Sequence, residues 1–127
     1  MKVTISKESK KYLTVSEMPA VNEIIKSMKE DKSTAEDYAR MAMNSFGYNA
    51  KFEIYRATAT IAKNQRANDV FFEGSNDLDV WIEFLAFDSR YGAFDSGVYL
   101  SDLWELTEEN QKELRGKMYL NAFTKGV

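Results

Sequence analysis

Two stretches decide the fold: KFEIYRATATIAK at Lys51–Lys63 and LDVWIEFLAF at Leu78–Phe87. The first is rich in β-branched and aromatic residues and holds neither Gly nor Pro, so it reads as a long strand. The second alternates. Leu78, Val80, Ile82, Phe84 and Ala86 fall on one face, and Asp79, Trp81, Glu83, Leu85 and Phe87 on the other. Between them, Asp69–Glu73 reads as a shorter strand around Val70, Phe71 and Phe72, with turn residues on both sides. The connections are short, so an antiparallel meander of three strands is the simplest arrangement.

Upstream of the strands the apolar period is 3.6. Val21, Ile24, Ile25 and Met28 form one stripe of a helix that Ser16 caps and in which Pro19 sits early enough to be tolerated. A second helix starts at Ser33 or Thr34, with Glu36 and Asp37 in its first turn. Ala35, Tyr38, Ala39, Ala42 and Phe46 face inward, and Gly47 ends it. The short link makes the pair a helical hairpin. Downstream, residues 88–97 (DSRYGAFDSG) read as a loop and Val98–Leu100 as a short further strand. Thr107 then caps a last helix, with Leu114, Met118 and Ala122 inward and Phe123 alongside. The expectation is an α+β domain over residues 1–127: an N-terminal helical hairpin, a three- to four-stranded antiparallel sheet, and a C-terminal helix packed on the sheet.

Composition removes several function classes. The chain has no Cys and no His, which excludes thiolate and imidazole metal sites, disulfides, Cys nucleophiles and Ser-His-Asp triads. Lys7, Glu8, Lys10 and Lys11 follow the first residues directly, leaving no apolar signal core, so a cytoplasmic location is expected. None of the six glycines sits in a phosphate-loop context. Asp77-Leu78-Asp79 is a D-x-D whose carboxylates would share a strand side, but a turn followed by a strand start accounts for it. Asp88 and Asp95 do not match the ligand spacing of a calcium loop. No metal, cofactor or catalytic residue is assigned, and the expectation is a protein that is not an enzyme.

Charge is segregated along the chain. The net charge is −3, yet residues 69–109 hold eleven acids against the single base Arg90, while both flanks are basic. The N-terminal lysines are interspersed with Glu8, Glu23, Glu30 and Asp31, which argues against a nucleic-acid patch. Acids on outward strand positions are ordinarily a solvated surface that guards a sheet edge. Here they interleave with large apolar residues: Trp81 between Asp79 and Glu83, then Leu85 and Phe87, and Trp104 between Asp102 and Glu105. Either a helix covers that face or it is an interaction surface.

The stretch DLDVWIEFLAFDSRYGAFDSGVYLSDLWEL (Asp77–Leu106), in a small chain without Cys or His, resembles the small acidic inhibitors of phages and mobile elements, of the anti-CRISPR or anti-restriction type. That resemblance implies a stoichiometric binder that occupies a basic, nucleic-acid-binding surface of a host defence enzyme without itself binding nucleic acid or membrane. The expected contact set is Asp77, Asp79, Trp81, Glu83, Asp88, Asp95, Asp102, Trp104 and Glu105. Aromatic anchors would be desolvated while the acids steer encounter. The alternatives are an accessory or scaffold domain that binds a protein through an apolar sheet face, a homodimer formed through the Trp81–Leu85–Phe87 stripe, and a metal-dependent enzyme built on the carboxylates.

Overall fold

The computed structural model describes residues 1–5, 7–45, 51–64, 78–90, 92–104 and 119–122. The elements run α1 (Lys7–Lys10), a 3₁₀ turn (Val15–Glu17), α2 (Met18–Lys29), α3 (Ala35–Ser45), β1 (Phe52–Lys63), β2 (Leu78–Asp88), β3 (Gly92–Tyr99), α4 (Leu100–Trp104) and β4 (Tyr119–Ala122). The class is α+β.

The helical hairpin forms as its stripes demand. Val21, Ile24 and Met28 of α2 and Tyr38, Ala39, Ala42 and Met43 of α3 are buried. The first cap lies two residues earlier than expected. Thr14 rather than Ser16 closes the turn, its N–H donating to Glu17 Oε1 at 2.9 Å while the Glu17 N–H donates to the Thr14 carbonyl. Pro19 then falls in the first turn of α2, where its missing N–H has no helical partner to lose. Thr34 caps α3 reciprocally. The Asp37 N–H donates to Thr34 Oγ1 at 3.1 Å, and the Thr34 N–H donates to Asp37 Oδ2 at 2.8 Å. Asp31 fixes the link by accepting from the Ser33 N–H at 2.8 Å and from the Tyr38 hydroxyl at 2.5 Å.

The sheet is an antiparallel meander, β1-β2-β3-β4. Its longest ladder runs from Phe52↔Asp88 to Lys63↔Leu78, with a bulge between Ile54 and Arg56. The inner face carries Leu78, Val80, Ile82, Phe84 and Ala86, all at most 1% exposed, joined by Ala59, Ile61, Phe94 and Val98. These residues and the buried residues of α2, α3 and α4 form one apolar cluster.

Two expectations are corrected. Residues 88–97 are not a loop: a tight turn follows Asp88, and Gly92, at φ 82°, admits the chain to β3, which runs to Tyr99. Ser96 and Gly97 hide the strand because they are small yet buried against neighbours, Gly97 under Trp81. Tyr119–Ala122 is not helical but a strand paired with β3 from Phe94↔Ala122 to Gly97↔Tyr119. The helix packed on the sheet is instead the short α4, directly after β3. Residues 69–73 and 107–118 and the Gly47 cap lie outside the described residues.

Phe84, at 1% exposure, is among the largest fully buried side chains. Phe84→Ala should destabilise the fold by about 3–5 kcal/mol, read as a lower urea midpoint at unchanged slope. A loss under 1 kcal/mol would mean the inner face is loosely packed.

Candidate functional site

Antiparallel register places the outer face of the sheet in cross-strand rows. Thr60, Trp81 and Tyr99 form one row, Thr58, Glu83 and Gly97 the next, then Arg56, Leu85 and Asp95, and finally Glu53, Phe87 and Ala93. Helices α2, α3 and α4 contribute buried residues to the inner-face core. Phe87 is 38% exposed, Glu53, Arg56, Thr58 and Glu83 are exposed, and Trp81, Leu85, Ala93 and Asp95 are half-buried. Tyr55, in the bulge, is also exposed.

Trp81 lies flat on its neighbour. A Cβ placed on Gly97 would fall 2.0 Å from Trp81 Cζ2, so only glycine permits the indole to rest on β3. Tyr99 meets the indole edge-on at a centroid distance of 4.8 Å, and its hydroxyl donates to the Lys63 carbonyl at 3.2 Å. One side of the ring is therefore spent on packing. Gly97 and Tyr99 are the partners that reading along one strand cannot find, because only the register brings them opposite.

The acids divide sharply. Asp79 has an outer-face position in the alternation but is fully buried. Its Oδ2 accepts from Ser101 Oγ at 2.5 Å and Asn64 Nδ2 at 3.2 Å, and its Oδ1 accepts from the Val80 N–H at 2.7 Å and the Ser101 N–H at 3.4 Å. This carboxyl ties the end of β1 and the start of α4 to β2. Burial pushes its pKa up to about 6, outweighing the hydrogen bonds from Ser101, Asn64 and Val80 that favour the charged form. Asp88 belongs to the inner-face register and is also fully buried. Its Oδ1 takes the Arg90 N–H at 2.7 Å and faces Arg90 Nε at 3.5 Å, while Oδ2 has no hydrogen-bond partner. Asp102 is buried within α4.

The expected contact set is therefore not one surface. Asp79, Asp88 and Asp102 are buried rather than on that face: Ser101, Asn64 and the Val80 amide hold Asp79, and the Arg90 N–H holds Asp88. Trp81, Glu83 and Asp95 share the outer face, and Trp104 is 51% exposed at the end of α4. Asp77 and Glu105 lie outside the described residues. Arg56, Leu85, Phe87 and the threonines of β1 complete the face. Leu85 and Phe87 were legible from alternation, whereas Arg56 and Thr58 needed the β1–β2 register and its bulge. Among the described residues no three carboxylates gather to hold a metal ion, and no helix is long and apolar enough to cross a membrane.

Two substitutions test this geometry. Gly97→Ala should displace the indole and destabilise by about 1–3 kcal/mol, with a shift of Trp81 emission when Trp104→Phe removes the second fluorophore; unchanged emission would place the ring elsewhere. For Asp79, the folded-state pKa lies above the ordinary value of 3.8, so the folded state holds the proton more tightly. Its contribution is complete below about pH 4 and is lost as pH rises through about 6, on the order of 3 kcal/mol in all. Unfolding of wild type and Asp79→Asn at pH 4 and pH 7 should show the balance moving toward the variant at pH 7. A pH-independent difference would show that Asp79 titrates alike in both states.

Comparison with protein-family models, curated proteins and solved structures found no match for this chain.

Proposed function

We propose that this protein works by binding another protein with the outer face of its sheet. The observation that carries the reading is that face: Phe87 exposed, with Leu85 and Trp81 half-buried beside it. Single exposed apolar side chains need no explanation, but Trp81, Leu85 and Phe87 run along one face of β2 with Tyr99 and Ala93 beside them on β3, and a patch of this kind fits a contact surface. Glu53, Glu83 and Asp95 outnumber Arg56 around it, so the fitting partner carries basic groups around an apolar patch. A nucleic-acid-processing enzyme offers such a surface. Binding there would make this chain a cytoplasmic, non-catalytic inhibitor of the anti-CRISPR type, with apolar contact supplying affinity and the acids steering approach.

The burial of Asp79, Asp88 and Asp102 favours a second reading, an accessory domain that docks on a partner mainly through apolar contact. Salt separates the two, because only a charge-led complex weakens strongly as ionic strength rises.

The test is affinity capture from host lysate on three columns: wild type, Phe87→Asp, and Glu23→Lys on the exposed side of α2. The same protein should be held by wild type and Glu23→Lys and lost from Phe87→Asp. Retention on all three columns would remove the outer face as the binding surface. Release at moderate salt of a nucleic-acid enzyme would support the inhibitor reading, and retention at high salt the accessory one.

A further inference from the structure

We propose that the outer edge of β1 is a second interaction site, where an extended acidic segment of a partner protein adds to the sheet as a strand. This site is independent of the outer-face reading.

The N-terminal residues cover this edge only in part. The Thr4 N–H donates to the Ala59 carbonyl at 3.1 Å and the Ile61 N–H donates to the Thr4 carbonyl at 2.9 Å, a single parallel bridge at Thr4↔Thr60. Those bonds show which backbone groups point away from β2: those of Ala59 and Ile61, and by alternation those of Ala57. The bridge does not continue toward Lys2. The chain turns instead to the helical hairpin, where the Met1 nitrogen donates to the carbonyls of Met28 and Asp31. The N–H and C=O of Ala57 and the N–H of Ala59 are left without a partner among the described residues. A strand edge of this kind is a template for another strand.

A cleft of about 460 Å³ opens at the same place, between this edge, Lys2 and Thr4 on one side and Lys32 and Ser33 on the other. Lys2 and Lys32 are exposed and form no ion pair among the described residues. Asp31 of the hairpin accepts from the Ser33 N–H and the Tyr38 hydroxyl, and Asp37 from the Thr34 N–H, and neither forms an ion pair with these lysines among the described residues. The cleft therefore combines main-chain donors and an acceptor without a partner among the described residues with two lysines that form no ion pair among them. The same lysines oppose pairing with a second copy of this chain, which would bring like charges together across the junction. The complementary occupant is a different chain with Asp or Glu at alternate positions.

The experiment is a titration of the ¹⁵N-labelled full chain with an eight-residue peptide alternating Asp and Val, followed by amide resonances. The amides of Ala57 and Ala59 should move most. Lys2→Glu with Lys32→Glu, folded by its own unbound spectrum, should raise the Kd at least tenfold. A peptide alternating Lys and Val, and the acidic peptide N-methylated at alternate amides, should not bind. Absence of shifts at Ala57 and Ala59, or equal binding of the N-methylated peptide, would overturn the proposal. So would tighter binding of the oligonucleotide (dT)8 at the same residues, which would make the cleft a polyanion site rather than a strand acceptor.

Discussion

The β1–β2 ladder is the constraint on which the rest of the structure depends. Its register decides which half of β2 meets the helices and which half meets solvent, and a slip of one residue would exchange the two. With Ile82 opposite Ala59 and Phe84 opposite Ala57, large and small residues alternate across the inner face. That leaves room for the stripes of α2 and α3 to close one core. The bulge at Tyr55 takes up the extra residue without disturbing this pattern, and it keeps Arg56 and Glu53 on the outer face opposite Leu85 and Phe87.

The same register turns an acidic segment into two different things. Glu83 and Asp95 stay on the outer face as charge around an apolar centre, whereas Asp79 becomes a buried joint between three elements. Four donors converge on that carboxyl, yet losing water outweighs them, so its ionised form is held against a standing cost. Such a group is conditional on its partners: without Ser101 or Asn64 the charge would be buried and under-satisfied. Its role is to specify where α4 begins, and it is unavailable to a partner.

Much of the fold was legible along the chain. The 3.6-residue stripes of α2 and α3 and the strict alternation of β2 are local periodicities, and most of the residues they name are buried, Ile25 and Ala35 being half-buried and Phe46 lying outside the described residues. The stretches misread were Ala93–Gly97 and Tyr119–Ala122. Ala93–Gly97 looks like loop material because Gly and Ser carry no apolar signal, yet Gly97 is small so that Trp81 can lie on it. Tyr119–Ala122 fits a helical stripe equally well in four residues, and only its pairing with β3 decides for a strand. The outer face was legible to the extent of Trp81, Glu83, Leu85, Phe87 and Asp95. Asp79, Asp88 and Asp102 were misplaced because acidity along a chain says nothing about which carboxylates a fold encloses.

By itself, the sequence determined the class of fold, the hairpin stripes, the inner face of β2 and the exclusion of thiol and imidazole chemistry, because each rests on local spacing or on composition. Only the tertiary structure decided which acids remain in water, where Trp81 rests and where the N-terminal residues pair along β1. Each of those depends on residues tens of positions apart being brought together by strand register, and register is settled by packing the whole core at once.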